Sequence, residues 1–498
     1  DFLEKRYSRT CCDVLVVLSL VLYILTKISA TLYAGQLIVS EVLHVNEFLA
    51  VLFLIVVTTV YTAVGGLLAV ILTEILQTAV LLVGGFILMV ISLEHVGGYG
   101  GLQRRLEGQV PASYFHVFRP NSDPDLPWLG LLTGYFIAST WYWACDQVIV
   151  QRTLAAKNVL HGQAGCMLAS LLKLFPGFIM VLPGMAGRAM MLEAGVVDAD
   201  SPKSAFDRVF TWVVMEKMPV NLKGLVIAAM LSALMSSLAS IFNSCSTIVA
   251  LDVYQRVRPG ASERQIIWAG RVIVAVMAVL SVLWLPLIPL FGENLFLYIQ
   301  KPVSYSAPPV LCLFLWGVLF EFVNTRGAVH CLGWGLGLGA ARFALELVAL
   351  GAPGLARAPV LDPFIRVNFL FFATLQFLAA SAIILGVSWA TRPRNADARE
   401  DRAVAMARFM WRPSLARRLM TAELGFKKLE DTAAEVEAGA GGLQGQRQAG
   451  PVPHGLQRLV RPVPLLQQRH RPLQRRRRRR HSGPSRWRSR TASAGRPS

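Results

Sequence analysis

Charge is what this sequence has least of. Only 16% of its 498 residues are Asp, Glu, Lys or Arg, against 54% hydrophobic, which excludes an ordinary soluble domain. The scarcity is uneven. From Gly439 onward there are fifteen arginines and no acid, so most of the formal charge of +19 sits in the tail. The basic balance therefore says little about the apolar part. Seven cysteines (Cys11, Cys12, Cys145, Cys166, Cys245, Cys312, Cys331) lie in or beside apolar runs. No CxxC pair is among them, so no disulfide framework or zinc spacing is legible and they read as packing residues. HExxH, GxSxG, a Walker loop and the kinase signatures are all missing, so the chain reads as not an enzyme. The opening DFLEKRYSRT has no signal-peptide pattern. It starts on Asp just ahead of an apolar run, so further N-terminal residues are expected.

What is present is a series of apolar runs of about 20 residues, the length that crosses a bilayer. About ten spans are expected, near 12–36, 47–64, 67–93, 127–150, 163–190, 223–251, 266–290, 295–320, 328–350 and 367–390. Lys and Arg recur in alternate loops: Lys5, Arg6 and Arg9, then Arg152 and Lys157, then Arg256, Arg258 and Arg264, then Arg326, then Arg392 and Arg394. By the positive-inside rule both termini are cytoplasmic, and loops 94–126 and 191–222 lie outside. Residues 394–438 are mixed-charge and cytosolic. Residues 439–498 are low-complexity, rich in Gln, Arg, Pro and Gly. They read as disordered or as an out-of-frame stretch. Contact with acidic lipid or nucleic acid is the weaker reading.

The polar residues inside the spans carry the functional signal, because lipid offers them no partners. Trp141 to Asn158 reads WYWACDQVIVQRTLAAKN and closes an otherwise apolar helix. Its aromatics Trp141, Tyr142 and Trp143 suit stacking on a sugar, closing a gate, or an interfacial belt. Asp146 and Arg152 pair with each other or with neighbours. Lys173 lies mid-span in LLKLFPGF, beside Pro176, and needs a partner or a polar cavity. Gln300 sits ahead of Pro302, Pro308 and Pro309 in another interrupted span, and interhelical hydrogen bonding is its plainer role. Ala233, Ser236 and Ser237 share one helical face. One backbone carbonyl and two hydroxyls are neutral hard oxygens, suited to a monovalent cation. The same serines could instead bond back to i−4 carbonyls or ease helix packing. Glu74 and Lys27 are charged residues that lie either in the membrane or at its edge.

These motifs resemble those of the sodium/glucose cotransporter family, the sodium:solute symporters. The resemblance runs from residue 1 to about 393. It rests on TKIS at 26–29, YTAVGGLLAVILTEILQT at 61–78, DLPW at 125–128, WYWACDQVIVQRTLAAKN, LLKLFPGFIMVLPGM at 171–185, ALMSSLASIFNSCSTI at 233–248 and YIQ at 298–300. It implies an all-α, polytopic membrane protein with a LeuT-like inverted-repeat core. Residues 1–393 would hold core helices three to ten plus two further spans, the first two core helices being missing. The implied function is sodium-coupled symport of a glucose-like hexose across the plasma membrane by alternating access. A myo-inositol or other polyol symporter is the first alternative, and a non-transporting fragment or sugar sensor the second.

The resemblance also assigns residues. It gives sugar contacts to Trp143, Lys173, Gln300 and Ser139, and the inner gate to Tyr142. Sodium ligands fall on Ala233, Ser236 and Ser237. Asp146, Arg152 and Glu74 form a supporting polar network. Na+ is the coupling ion and no other cofactor is implied. The partners are a sugar, sodium and the bilayer, with no nucleic acid. Three residues depart from the family pattern: Glu74 stands where Asp is usual, and Lys301 and Pro302 follow Gln300 directly.

Overall fold

A computed structural model describes residues 2–291, 295–351 and 362–392. Among the described residues all regular structure is helical. Eight helices among the described residues are long and apolar enough to cross a membrane. Helices meet the bilayer's requirement that every backbone donor and acceptor be paired inside its own segment. The expected segments 394–438 and 439–498 lie outside the described residues.

The first long helix, α1, is Arg9–Leu43. Ser8 caps it by accepting from the Cys11 amide. Within it, Tyr23–Ile28 forms a π-helical turn, a widening found mostly at functional sites. The second, α2, is Glu47–Val96, which is 50 residues long. This differs from the expected pair of spans at 47–64 and 67–93. Gly65 and Gly66 lie where a break is expected. A glycine lowers helix stability by only about 1 kcal/mol, and the apolar residues on both sides continue the helix to Gly97, which ends it at a φ of 82°.

A second difference lies in the expected span 127–150. Helix α3, residues 128–144, ends at Ala144. A separate helix, α4 (Gln147–Leu154), begins at Asp146, whose carboxylate accepts from the Val148 amide. Asp is a strong N-cap because its side chain satisfies an amide left orphaned at a helix start. The reading of Trp141 to Asn158 as the close of one helix is corrected accordingly: the stretch is a helix end, a break and a helix start.

The other helices of 13 residues or more are α5 (Val159–Leu172), α6 (Val181–Glu193), α7 (Val220–Thr247), α8 (Glu263–Trp284), α9 (Leu295–Leu319), α10 (Thr325–Gly351) and α11 (Phe369–Ala390). Between α5 and α6 the chain turns at Lys173, and Pro176 starts the short helix Pro176–Ile179. Two cores position the site. One joins α1, α2, α7 and α8 through Leu32, Leu54, Phe242 and Met277. The other joins α3 to α9, α10 and α11 through Trp141, Leu313, Cys331 and Ile384. In the second the backbones touch. A Cβ on Gly339 would lie 2.0 Å from the Tyr305 carbonyl oxygen, and one on Gly335 would lie 2.5 Å from Pro309 Cβ. Small residues four apart permit this approach in membranes. Gln376 ties the helices together, its Nε2 donating to the carbonyls of Tyr305 (2.9 Å) and Gly335 (2.7 Å). All seven cysteines are free thiols.

Candidate functional site

The break at Cys145 and Asp146 organises the polar residues into three groups. The first is aromatic. Tyr142 and Trp143, the end of α3, meet edge to face with centroids 5.4 Å apart. Trp143 is 46% exposed. Across from it, the Lys173 ammonium lies 5.7 Å from the Trp143 ring centroid. Lys173 is exposed at the C-terminal end of α5, so the turn before Pro176 is what aims it at the ring. Ser139 is half-buried one turn before Tyr142. Ring faces plus one cation form a surface suited to a neutral polyhydroxylated ring. Gln300, half-buried on α9, makes no hydrogen bond or ring contact with this group among the described residues.

The second group surrounds Asp146. Its side chain is fully buried, and the Lys27 ammonium is its ion-pair partner. Tyr23 donates its hydroxyl to Oδ1 at 2.7 Å, and the Val148 amide donates to the same oxygen at 3.0 Å. A buried carboxylate is tolerated only when paired and hydrogen-bonded in this way. Lys27 also lies 4.9 Å from the centroid of Tyr142 and 5.0 Å from that of Tyr23. Both Tyr23 and Lys27 come from the π-helical turn of α1.

The third group joins α4 to α2 and α7. Arg152 grips Glu74 with two nitrogens, Nε at 3.0 Å and Nη2 at 2.6 Å. Ser240 bonds both to Glu74 and to Arg152. Gln151, the preceding residue, donates to Thr247 Oγ1 at 3.0 Å and accepts from Ser244 at 3.3 Å. Of the two pairings open to Asp146 and Arg152, each takes a different neighbour rather than the other.

The serine face adjoins this group. Ser237 donates to the Ala233 carbonyl at 3.0 Å, and Ser236 donates to Glu74 Oε1 at 3.4 Å. The back-bonding that competed with a cation role is therefore present at Ser237. It places the Ala233 and Ser237 oxygens side by side on α7, and a hydroxyl that donates to a carbonyl still has lone pairs for a cation. The donor set, hard and neutral with the Glu74 carboxylate adjacent, fits a small monovalent ion by its chemistry.

Sequence reasoning left Lys27 ambiguous and overlooked Tyr23 and Gln151. The available signal was charge balance: Asp146 sits among apolar residues and needs a cation, and Lys27 is a basic residue in another apolar run. Their separation of 119 positions hides the pairing.

The sodium:solute symporter family model matches residues 1–335. Sodium/myo-inositol cotransporter 2 of Sus scrofa is 39% identical over 421 residues, covering 79% of this chain and 62% of that protein. Sodium/glucose cotransporter 4 of Danio rerio is 39% identical over 417 residues, covering 79% and 63%. Sodium/glucose cotransporter 1 of Ovis aries is 38% identical over 423 residues, again covering 79% and 63%. The chain thus spans somewhat under two thirds of the length of these relatives. Among solved structures, a Na+-coupled sialic acid symporter in a substrate-bound outward-open state matches with a TM-score of 0.61 at 18% identity, over 79% of this chain and 77% of that one. That likeness establishes the LeuT-like symporter fold. On the family match and these identities, the chain belongs to the sodium:solute symporter family.

Proposed function

We infer that this chain forms the larger part of a sodium-coupled symporter for a small polyhydroxylated solute, working by alternating access in the plasma membrane. The observation that carries the reading is Lys173 over Trp143 beside Tyr142, at a helix break in the span. Residues 1–393 form the transport domain. Trp143, Lys173, Ser139 and Gln300 contact the solute, and Tyr142 gates its inward exit. Ala233, Ser236 and Ser237 hold Na+ through neutral oxygens, and Asp146, Arg152 and Glu74 hold the surrounding helices. The ion's contribution is to bridge helices and so favour one conformation, which shifts the population toward the solute-binding state. A tenfold sodium gradient with 100 mV supplies about 3.7 kcal/mol per ion, enough for roughly 500-fold accumulation at one-to-one coupling.

A glucose-like hexose is the first candidate substrate. A polyol is the second candidate: sodium/myo-inositol cotransporter 2 and sodium/glucose cotransporter 4 stand at the same 39% identity to this chain, so the relatives do not separate the two. Uptake of labelled glucose and of labelled myo-inositol into proteoliposomes, with and without an inward sodium gradient, tests both. Sodium-dependent uptake of one, competed by its own unlabelled form, supports the reading. Uptake of neither under a sodium gradient refutes it in favour of a non-transporting role.

A further inference from the structure

The inner-gate reading gives Tyr142 a role but leaves open what holds it in place. A ring at the last turn of a helix, three residues before a break, has little backbone restraint of its own. The structure supplies one cation that touches every part of the problem. Lys27 Nζ pairs with Asp146, the residue that caps α4 and so defines the break. The same nitrogen lies over the ring of Tyr142 at 4.9 Å and the ring of Tyr23 at 5.0 Å. Tyr23 in turn donates to Asp146, closing a ring of contacts between α1 and the α3–α4 junction. Lys27 is 15% exposed and Asp146 fully buried, so these contacts act at low effective dielectric. The π-helical turn that bears Lys27 is itself a local departure from α-helix, of the kind found mostly at functional sites.

We propose that Lys27 is the latch of the inner gate, a positioning residue whose ammonium fixes the Asp146 cap and the Tyr142 ring together. This rests on the reading of Tyr142 as the gate. For solute to leave inward, Tyr142 must swing away from Lys27. The latch makes that motion depend on the α1 turn, and so couples the gate to a helix that packs against α7 through Leu32 and Phe242. α7 carries the proposed sodium face.

Cys145 reports on the latch. It is half-buried at the break, one turn past Tyr142, and is a free thiol. The rate of its alkylation by N-ethylmaleimide, resolved from the other cysteines by mass spectrometry, is measured on the full chain in proteoliposomes. Removing Lys27 alone leaves Asp146 buried and unpaired and could unfold the region. The deciding variant is therefore the neutral pair, Lys27→Met with Asp146→Asn, checked for monodisperse elution. Because Asp146→Asn also removes the charge beside the thiol, each rate is divided by that of the same variant unfolded in detergent, where only the neighbouring charge differs. A latch predicts a normalised alkylation rate about tenfold faster in the pair, a change of about 1.4 kcal/mol in opening, and a wild-type rate in Lys27→Arg, which keeps the cation. Equal rates in the neutral pair and wild type overturn the latch, because a merely structural pair is replaceable by neutral groups. Sodium-driven uptake is measured in the same vesicles. Unchanged alkylation with uptake present removes the latch and leaves the transport reading standing. Faster alkylation with no uptake by the wild-type chain removes the transport reading, and with it the gate that Lys27 would hold.

Discussion

At the scale of the residue, the proposed division between solute and ion contacts makes opposite predictions for two side chains. Ser237 donates its proton to the Ala233 carbonyl, so its lone pairs are what a cation would use. Ser237→Ala removes one oxygen ligand. It should raise the sodium concentration for half-maximal uptake about five-fold, on the order of 1 kcal/mol for one lost polar contact, and leave solute affinity at saturating sodium unchanged. Lys173 touches Trp143 through a ring contact at an exposed site, an interaction worth about 0.5–1 kcal/mol. Lys173→Ala should therefore raise the half-saturating solute concentration about two- to five-fold and leave the sodium dependence alone. Uptake measured as a function of each concentration separates the two, and the reverse pattern refutes the assignment.

At the scale of the element, α4 is a short helix that depends on its polar anchors. Its side-chain connections to α2 and α7 are Arg152 to Glu74 and Ser240, and Gln151 to Ser244 and Thr247. Arg152→Met leaves Glu74, whose side chain is 17% exposed, without its cation. The cost should be about 1–3 kcal/mol, between an exposed pair and a fully buried one, because the Arg152 side chain is itself 28% exposed. Arg152→Met with Glu74→Met should recover most of it. Thermal unfolding in detergent reads both, and equal losses in single and double variants contradict the anchoring role. The junction of α3 with α11 gives a second test. A Cβ on Gly134 would stand 1.9 Å from the Leu370 carbonyl oxygen. Backbone cannot rotate away as a side chain can, so Gly134→Ala should separate the helices and cost about 1–3 kcal/mol by overpacking, lowering the unfolding temperature.

These same elements mark how far the sequence could be read. Helix type and most positions follow from apolar runs of bilayer length, a signal summed over some twenty residues. The break at Asp146 does not follow from that sum, because hydropathy averages over a single capping residue. The cue lay in the chemistry of Asp followed by QVIVQR, an N-cap signature. The continuity of Glu47–Val96 was hidden for the opposite reason: two glycines read as punctuation where they are only weak helix formers. At the candidate site, the shared helical face of Ala233, Ser236 and Ser237 was legible because i, i+3, i+4 spacing is local. Lys27 with Asp146, and Arg152 with Glu74, are pairings across 119 and 78 positions. No local period encodes those, so only residue chemistry pointed to them.

At the scale of the whole molecule, stability should carry a pH dependence set outside the membrane-spanning helices. Asp207 lies in the loop helix Lys203–Arg208. It accepts from the Leu295 amide at the start of α9 at 3.4 Å, so it joins that loop to the helix bearing Gln300. Burial raises its carboxyl from an ordinary 3.8 to about 6, more than the Leu295 hydrogen bond lowers it. Asp123, in the other long loop, goes the other way. Burial would raise it, but the amides of Leu126 and Asp125 together with Arg119 outweigh that and hold it low. A carboxyl whose folded value lies above its unfolded one contributes stability that is complete below about pH 4 and is lost as pH rises through about 6. Asp207→Asn fixes the group neutral while keeping an acceptor for Leu295. Wild type and variant should therefore unfold at the same temperature at pH 4, and the variant should be the more stable at pH 7, with the difference developing between pH 4 and 6. Subtracting the two unfolding curves cancels every other titrating group common to both, Asp123 included. A difference that does not vary with pH would mean that Asp207 titrates alike in the folded and unfolded chain, and burial would then not be what keeps the acid neutral.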